Sequence, residues 1–345
     1  MISLIRKASD CYKNDIWEIN FIKIFLIVNV IIIHANTPFR LLINENPLFF
    51  LFVQPAVPCF MVLSGFTMDR RMNEQKNPKM YYKAKILIRR VMRFAVPSVF
   101  AGMFYVLEMI SLNMTDTLGM DLLKVQFGPG SYYILLSIEV LIVFPLINWL
   151  NSKNSSICLV ICIILCLGLE AFATFGKIDP YIYSRSIIRF LPFLCGGCWI
   201  SKSYNKEKRI DKIILLVLML VGGSYILTSG MGLYKNRFFT YNAEYALPCL
   251  PWAISLIYVA LGLCENIKPR INILAAINKC GRASFHIMLF QMLWYNLAWE
   301  IKILPAFKSL GGVGLTIVSV IICMFGGCTW HSVDKWIFGR IYSKR

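Results

Sequence analysis

About ten apolar runs, each near the ~20 residues that a hydrocarbon core requires, alternate along the chain with short polar connections. They fall approximately at 18–36, 47–68, 88–109, 131–150, 156–175, 186–201, 212–229, 244–264, 279–299 and 311–331. The pattern predicts an all-α, polytopic membrane bundle. The longest polar connections, 69–85 and 111–130, are too short to fold alone, so residues 1–345 are expected to form one transmembrane domain with no separate soluble domain. No internal repeat is visible, which gives an inverted-repeat plan no support. The first apolar run follows about twenty largely polar residues and lacks a small-residue cleavage site, so it is expected to remain a membrane helix.

Composition sharpens the class. Hydrophobic side chains make up 58% of the 345 residues and charged ones only 16%, outside the range of soluble domains. A formal charge of +18 in a soluble chain would suggest nucleic acid, but here the basic residues fall between hydrophobic spans. Of the 36 Lys and Arg, 26 lie on the side of the N-terminus and eight on the other, with Lys23 and Arg189 inside spans. The positive-inside rule then puts both termini in the cytoplasm of a cell (plasma or inner) membrane, with the lipid bilayer and not nucleic acid as partner. Among the twelve cysteines, Cys158, Cys162 and Cys166 recur every four residues in an apolar run, as small packing residues do. Cys195 and Cys198 form an isolated C-x-x-C without a second pair, so no metal is expected.

Ionisable residues inside apolar runs are costly in lipid and mark candidate sites. Lys23 and His34 are eleven residues apart, which returns to within about 20° on a helix and separates them by roughly 16 Å. A histidine titrates near neutrality and can take a proton from a hydroxyl. The plainer alternatives are an interfacial hydrogen-bonded His34 and a Lys23 that snorkels to the headgroups. Arg90 and Arg93 share a face at the start of span three, where they could clamp a phosphate or simply decorate the inner face. Glu139 lies mid-span and calls for a partner such as His34 or an arginine, or else protonation between helices. Arg185 and Arg189 either line an outer entrance or face headgroups. His286 reads as polar glue between helices and His331 as interfacial.

In order, these motifs resemble acyltransferase family three, integral membrane proteins that acylate surface sugars and other envelope molecules. The resemblance rests on Lys23 and His34 separated by ten residues, then Pro58, Phe60, Ser64, Gly65 and Phe66, then Arg90, Arg93 and Pro97. It continues with Tyr132, Tyr133 and Glu139 ahead of FPL, RFLPFLCGG from Arg189, and GRASFHIMLFQ from Gly281. Lys23 stands where many members carry arginine, and Gln291 where many carry histidine. The resemblance implies a cytoplasmic acyl-CoA donor, most simply acetyl-CoA, and a glycan or other hydroxyl acceptor. It also implies roles in transfer for His34 and Glu139, and in donor binding for Lys23, Arg90 and Arg93. Two other classes compete. A transporter or exporter would use Lys23, His34 and Glu139 as a proton or substrate path, and a non-catalytic sensor or scaffold would make the charged stripe incidental.

Overall fold

The computed structural model describes the whole chain except residues 1–16, 40–45, 74–82, 114, 115, 117, 177, 179, 205–211, 234–245, 266, 268, 301–310, 344 and 345. The stretch before Trp17, and several connections that carry the charge bias, therefore lie outside the described residues. The chain runs through α1 (Trp17–Phe39), a π-helical turn (Phe49–Val53), α2 (Ala56–Asn73), α3 (Ala84–Ser111), α4 (Leu118–Leu123) and α5 (Tyr132–Lys153). Next come α6 (Ser155–Gly176), α7 (Pro180–Arg185), a 3₁₀ turn (Ile187–Phe190) and α8 (Leu191–Tyr204), then α9 (Lys212–Gly230) and a second 3₁₀ turn (Leu247–Cys249). The last four helices are α10 (Leu250–Glu265), α11 (Ile271–Arg282), α12 (Ser284–Glu300) and α13 (Gly311–Ser343). No strand occurs among the described residues.

Among the described residues, eight helical segments are long and apolar enough to cross a membrane, and they coincide with eight of the ten predicted runs. The other two runs form α8 and α12, of 14 and 17 residues. Leu191 to Cys198 on α8 are all buried, so neighbouring helices rather than lipid surround it. In the most apolar eighteen-residue stretch of Phe49–Asn73, 72% of the residues are buried, against 17% in that of Lys212–Gly230, which places α2 at the centre and α9 at the rim. Along α9, Ile213, Ile214, Leu216, Val217 and Leu220 are exposed apolar residues suited to lipid.

Close contact between α2 and α8 depends on two glycines. A Cβ at Gly65 would lie 2.1 Å from the Leu194 carbonyl oxygen, and one at Gly197 would lie 2.0 Å from that of Val62. The helices thus meet backbone to backbone, as small residues permit where hydrophobicity cannot drive association in lipid. The π-helical turn is also satisfied by its neighbours. Asn29 of α1 donates to the Phe52 carbonyl at 2.8 Å, and Trp252 Nε1 of α10 donates to that of Leu51 at 2.7 Å. Buried partners make such irregular backbone tolerable in a membrane.

Two features differ from the predicted runs. The last helix continues through Ser343, because no proline follows Gly311 to end it. An additional amphipathic helix, α11, precedes α12 and packs on the beginning of α1, where Asn20 Nδ2 donates to Asn278 Oδ1 at 2.9 Å. Its polar residues masked it as a connection. It delivers Arg282 to the interior side of α1.

Candidate functional site

One face of α1 forms the wall of a cavity of about 220 Å³. Lys23, Ile27, Val30 and His34 all line it, spaced four, three and four residues apart, as a single helical stripe requires. The opposite walls come from Val57, Phe60 and Ser64 of α2, Phe94 of α3, Tyr132 and Tyr133 of α5, and the α11–α12 junction through Arg282, Ser284, Phe285 and Met288. Aromatic contacts fix this shape: Phe94 meets Phe285 edge-on at 4.7 Å, and Phe60 meets Tyr133 at 6.0 Å. Two cations and a histidine lie among the lining residues, without a carboxylate. Such a lining favours an anionic or electron-rich guest.

A loop closes the cavity at His34. Gly130 adopts φ +83°, a conformation that glycine reaches without a Cβ penalty. A Cβ there would lie 3.0 Å from His34 Nε2 and 3.8 Å from Gln291 Nε2, so the glycine lets the loop backbone pack directly against those two groups. Asn296 of α12 holds the loop by donating to the Phe127 carbonyl at 2.7 Å, while the Phe127 ring is buried against Tyr105. Tyr295 in turn ties α12 to α1 through a 2.9 Å bond from its hydroxyl to the Ile31 carbonyl, one turn from His34. Gln291 is fully buried, and neither atom of its carboxamide has a hydrogen-bond partner.

The structure brings Lys23 and His34 to one cavity. It does not bring the other three candidates to the cavity wall. Arg90, half-buried, lies one helical turn before Phe94 on the same face, and Arg93, exposed, immediately precedes Phe94. Glu139 lies two turns beyond Tyr132 on α5, about 10 Å along the axis, and its half-buried side chain leaves Oε2 without a hydrogen-bond partner. Arg282, Gly130 and Ser284 are additional residues of the site. Arg282 was visible only as a cation at the start of an apolar run. Nothing local to Gly130 signals that it faces His34.

The remaining polar groups serve other contacts. Arg189 is buried with Glu170, Nε to Oε1 at 3.9 Å, and its guanidinium lies over the Tyr183 ring at 4.2 Å. Tyr183 donates to the other oxygen of Glu170. Arg189 thus lines no entrance and faces no headgroups, unlike either expectation for it. His286 bridges α12 to α13, with Nε2 3.2 Å from Asp334 and Nδ1 3.3 Å from that of His331. The buried sulfurs of Cys158, Cys162 and Cys195 lie within 4.8 Å of one another. Small thiols here let α6 approach α8, and they also form a donor set that could hold a soft metal ion.

The family model described as an acyltransferase domain matches residues 16–328, nearly the whole chain. No curated protein and no solved structure matches it. The matched region contains every residue of the cavity lining.

Proposed function

Because the chain belongs to acyltransferase family three, we propose that this multi-pass membrane acyltransferase transfers an acetyl group from acetyl-CoA to a hydroxyl of an exported or cell-surface glycan. The observation that carries this reading is the continuous stripe of Lys23, Ile27, Val30 and His34 along the cavity wall. A base stands at one end of the stripe and a cation at the other, roughly 16 Å apart, a span suited to an extended pantetheine arm. Coenzyme A is polyanionic, so its phosphates bind at the Lys23 end near Arg282, with Arg90 and Arg93 beside Phe94 as further cations. The excess of basic residues on the side of the N-terminus orients that end, and both termini, toward the cytoplasm of the cell membrane. The thioester then sits beside His34, which the acceptor approaches from the opposite side, and the chain acts as one transmembrane unit.

His34 acts on the acceptor hydroxyl as a general base. The hydroxyl proton passes to His34, and its oxygen attacks the thioester carbonyl carbon. The C–S bond breaks as the C–O ester bond forms, and the imidazolium returns its proton to the departing coenzyme A thiolate. Glu139 lies off the cavity wall, so this scheme uses His34 without it. The test is acetyl transfer from radiolabelled acetyl-CoA to envelope material, in membranes that contain wild-type or His34→Ala protein. Label with wild type alone supports donor, reaction and base together. Equal labelling by well-expressed His34→Ala would remove the mechanism.

A further inference from the structure

Five buried cysteines lie on α6 and α8, and three of them converge. Cys158 and Cys162 are one turn apart on α6, so their sulfurs share the face that meets Cys195 of α8. Cys195 Sγ stands 3.2 Å from Cys162 Sγ and 3.5 Å from Cys158 Sγ, and all three sulfurs lie within 4.8 Å of one another. The other two point elsewhere: Cys166 Sγ donates to the Arg189 carbonyl at 3.8 Å and Cys198 Sγ to that of Gly65 at 3.7 Å. Among the described residues, no further cysteine, histidine or carboxylate joins the triangle.

Close approach of two helices needs only small side chains, and alanine would serve it. Three sulfurs gathered around one point do more, because they are the donor set that soft ions select. A point equidistant from sulfurs so spaced lies about 2.0–2.4 Å from each, which matches a metal–thiolate bond of about 2.3 Å. An ion at that point takes the place of the thiol hydrogens and needs no cavity of its own. It is bound as the helices come together, since metal binding at a buried site is coupled to folding.

We propose that Cys158, Cys162 and Cys195 form a three-coordinate thiolate site for one cuprous ion, which ties α6 to α8. Three sulfurs without an imidazole or carboxylate suit Cu(I), whereas a structural zinc ion takes four ligands. On binding, three S–H bonds break, three S–Cu bonds form and three protons leave, with no change of oxidation state. The resulting set is anionic, and positive charge lies beside it. Cys158 is in the first turn of α6, at the positive end of that helix, and the Lys202 ammonium is 2.7 Å from Ser155 Oγ, three residues earlier. In lipid, where apolar surface gives helices no reason to associate, metal–sulfur bonds supply a link that packing does not. None of the three cysteines lines the cavity at His34, so the site is separate from the acyl-transfer chemistry.

The full-length chain, purified in detergent without oxygen, is loaded with Cu(I) from its bicinchoninate complex and freed of excess by gel filtration with the chelator present. Wild type is expected to keep one copper ion per chain, and Cys162→Ala and Cys195→Ala to keep none. Cys198→Ala should keep it, as should a Cys280→Ala, Cys328→Ala double variant that removes the thiol pair 3.6 Å apart between α11 and α13. Copper should raise the unfolding midpoint of wild type by several degrees and leave that of Cys195→Ala unchanged, as a ligand of the folded state does. X-ray absorption at the copper edge needs no variant, and three sulfur neighbours at about 2.3 Å would support the site. Copper-free wild type, an unmoved wild-type midpoint, or nitrogen or oxygen neighbours at the edge would overturn it. So would copper retained by Cys195→Ala, which would mark an adventitious ion, or zinc that Cu(I) does not displace.

Discussion

Two polar clusters in this bundle have opposite characters. Around Arg189, each group meets another: the guanidinium has Glu170 and the Tyr183 ring, and the second carboxylate oxygen accepts from the Tyr183 hydroxyl. Around His34, the side chains of Lys23, Val30, Phe60 and Tyr133 border a cavity of about 220 Å³. The buried Arg189–Glu170 ion pair and its aromatic cover tie α6, α7 and the 3₁₀ turn before α8 together. The cluster at His34 keeps capacity open. Burial and charge alone would rank Arg189 as the more conspicuous residue, yet the open volume lies beside His34.

Substitutions can test that contrast. The largest expected effect is that of His34→Ala, a loss of up to about 10⁴-fold in kcat, equivalent to ~5.5 kcal/mol of barrier, with the unfolding midpoint retained. Comparable transfer by this variant would place the base elsewhere. Glu170→Ala should act in the opposite way. It strands the Arg189 charge in the interior and is expected to cost about 3–5 kcal/mol of stability, read as a lower midpoint in detergent, while kcat per folded molecule stays at the wild-type value. A change in kcat without one in stability would make Arg189 part of the site.

Lys23→Met should raise KM for acetyl-CoA by about tenfold, the loss of one charge-assisted contact, with kcat little changed. A kcat effect alone would mean that the cation acts on the transition state and not on the donor's phosphates. The smallest effect is expected at the rim. Leu220→Ala on the lipid face of α9 should change stability by no more than about 0.5 kcal/mol and leave the transfer rate intact, as surface sites remote from packing do.

The helices and one wall of the cavity are legible in the sequence. Apolar length locates the spans to within a few residues except at the end of α13, and helical period places Lys23 and His34 on one stripe, because both properties are local. What period cannot state is which neighbour a stripe meets. Gly130 comes from a connection and Gln291 from a helix more than 150 residues later, and they converge because Asn296 clamps the loop onto α12. Glu139 illustrates the converse. Its depth in a span suggested proximity to His34, yet the fold places it two turns along α5, off the cavity wall. Arg189 was misplaced for a similar reason: its partner Glu170 is on a different helix, and nothing in either segment names the other.

The backbone contacts of Gly65 with Leu194 and of Gly197 with Val62 have a consequence for how this chain can evolve. Every amino-acid replacement of glycine adds a Cβ, and at both positions that atom would collide with a carbonyl oxygen of the facing helix. No single substitution is small enough to be a step on the way to a larger one, so drift at these two codons is closed. Diversification has to proceed on the lipid-facing helices and the connections instead. A lineage could therefore remodel its lipid-facing helices and its connections while the α2–α8 pair stays as it was.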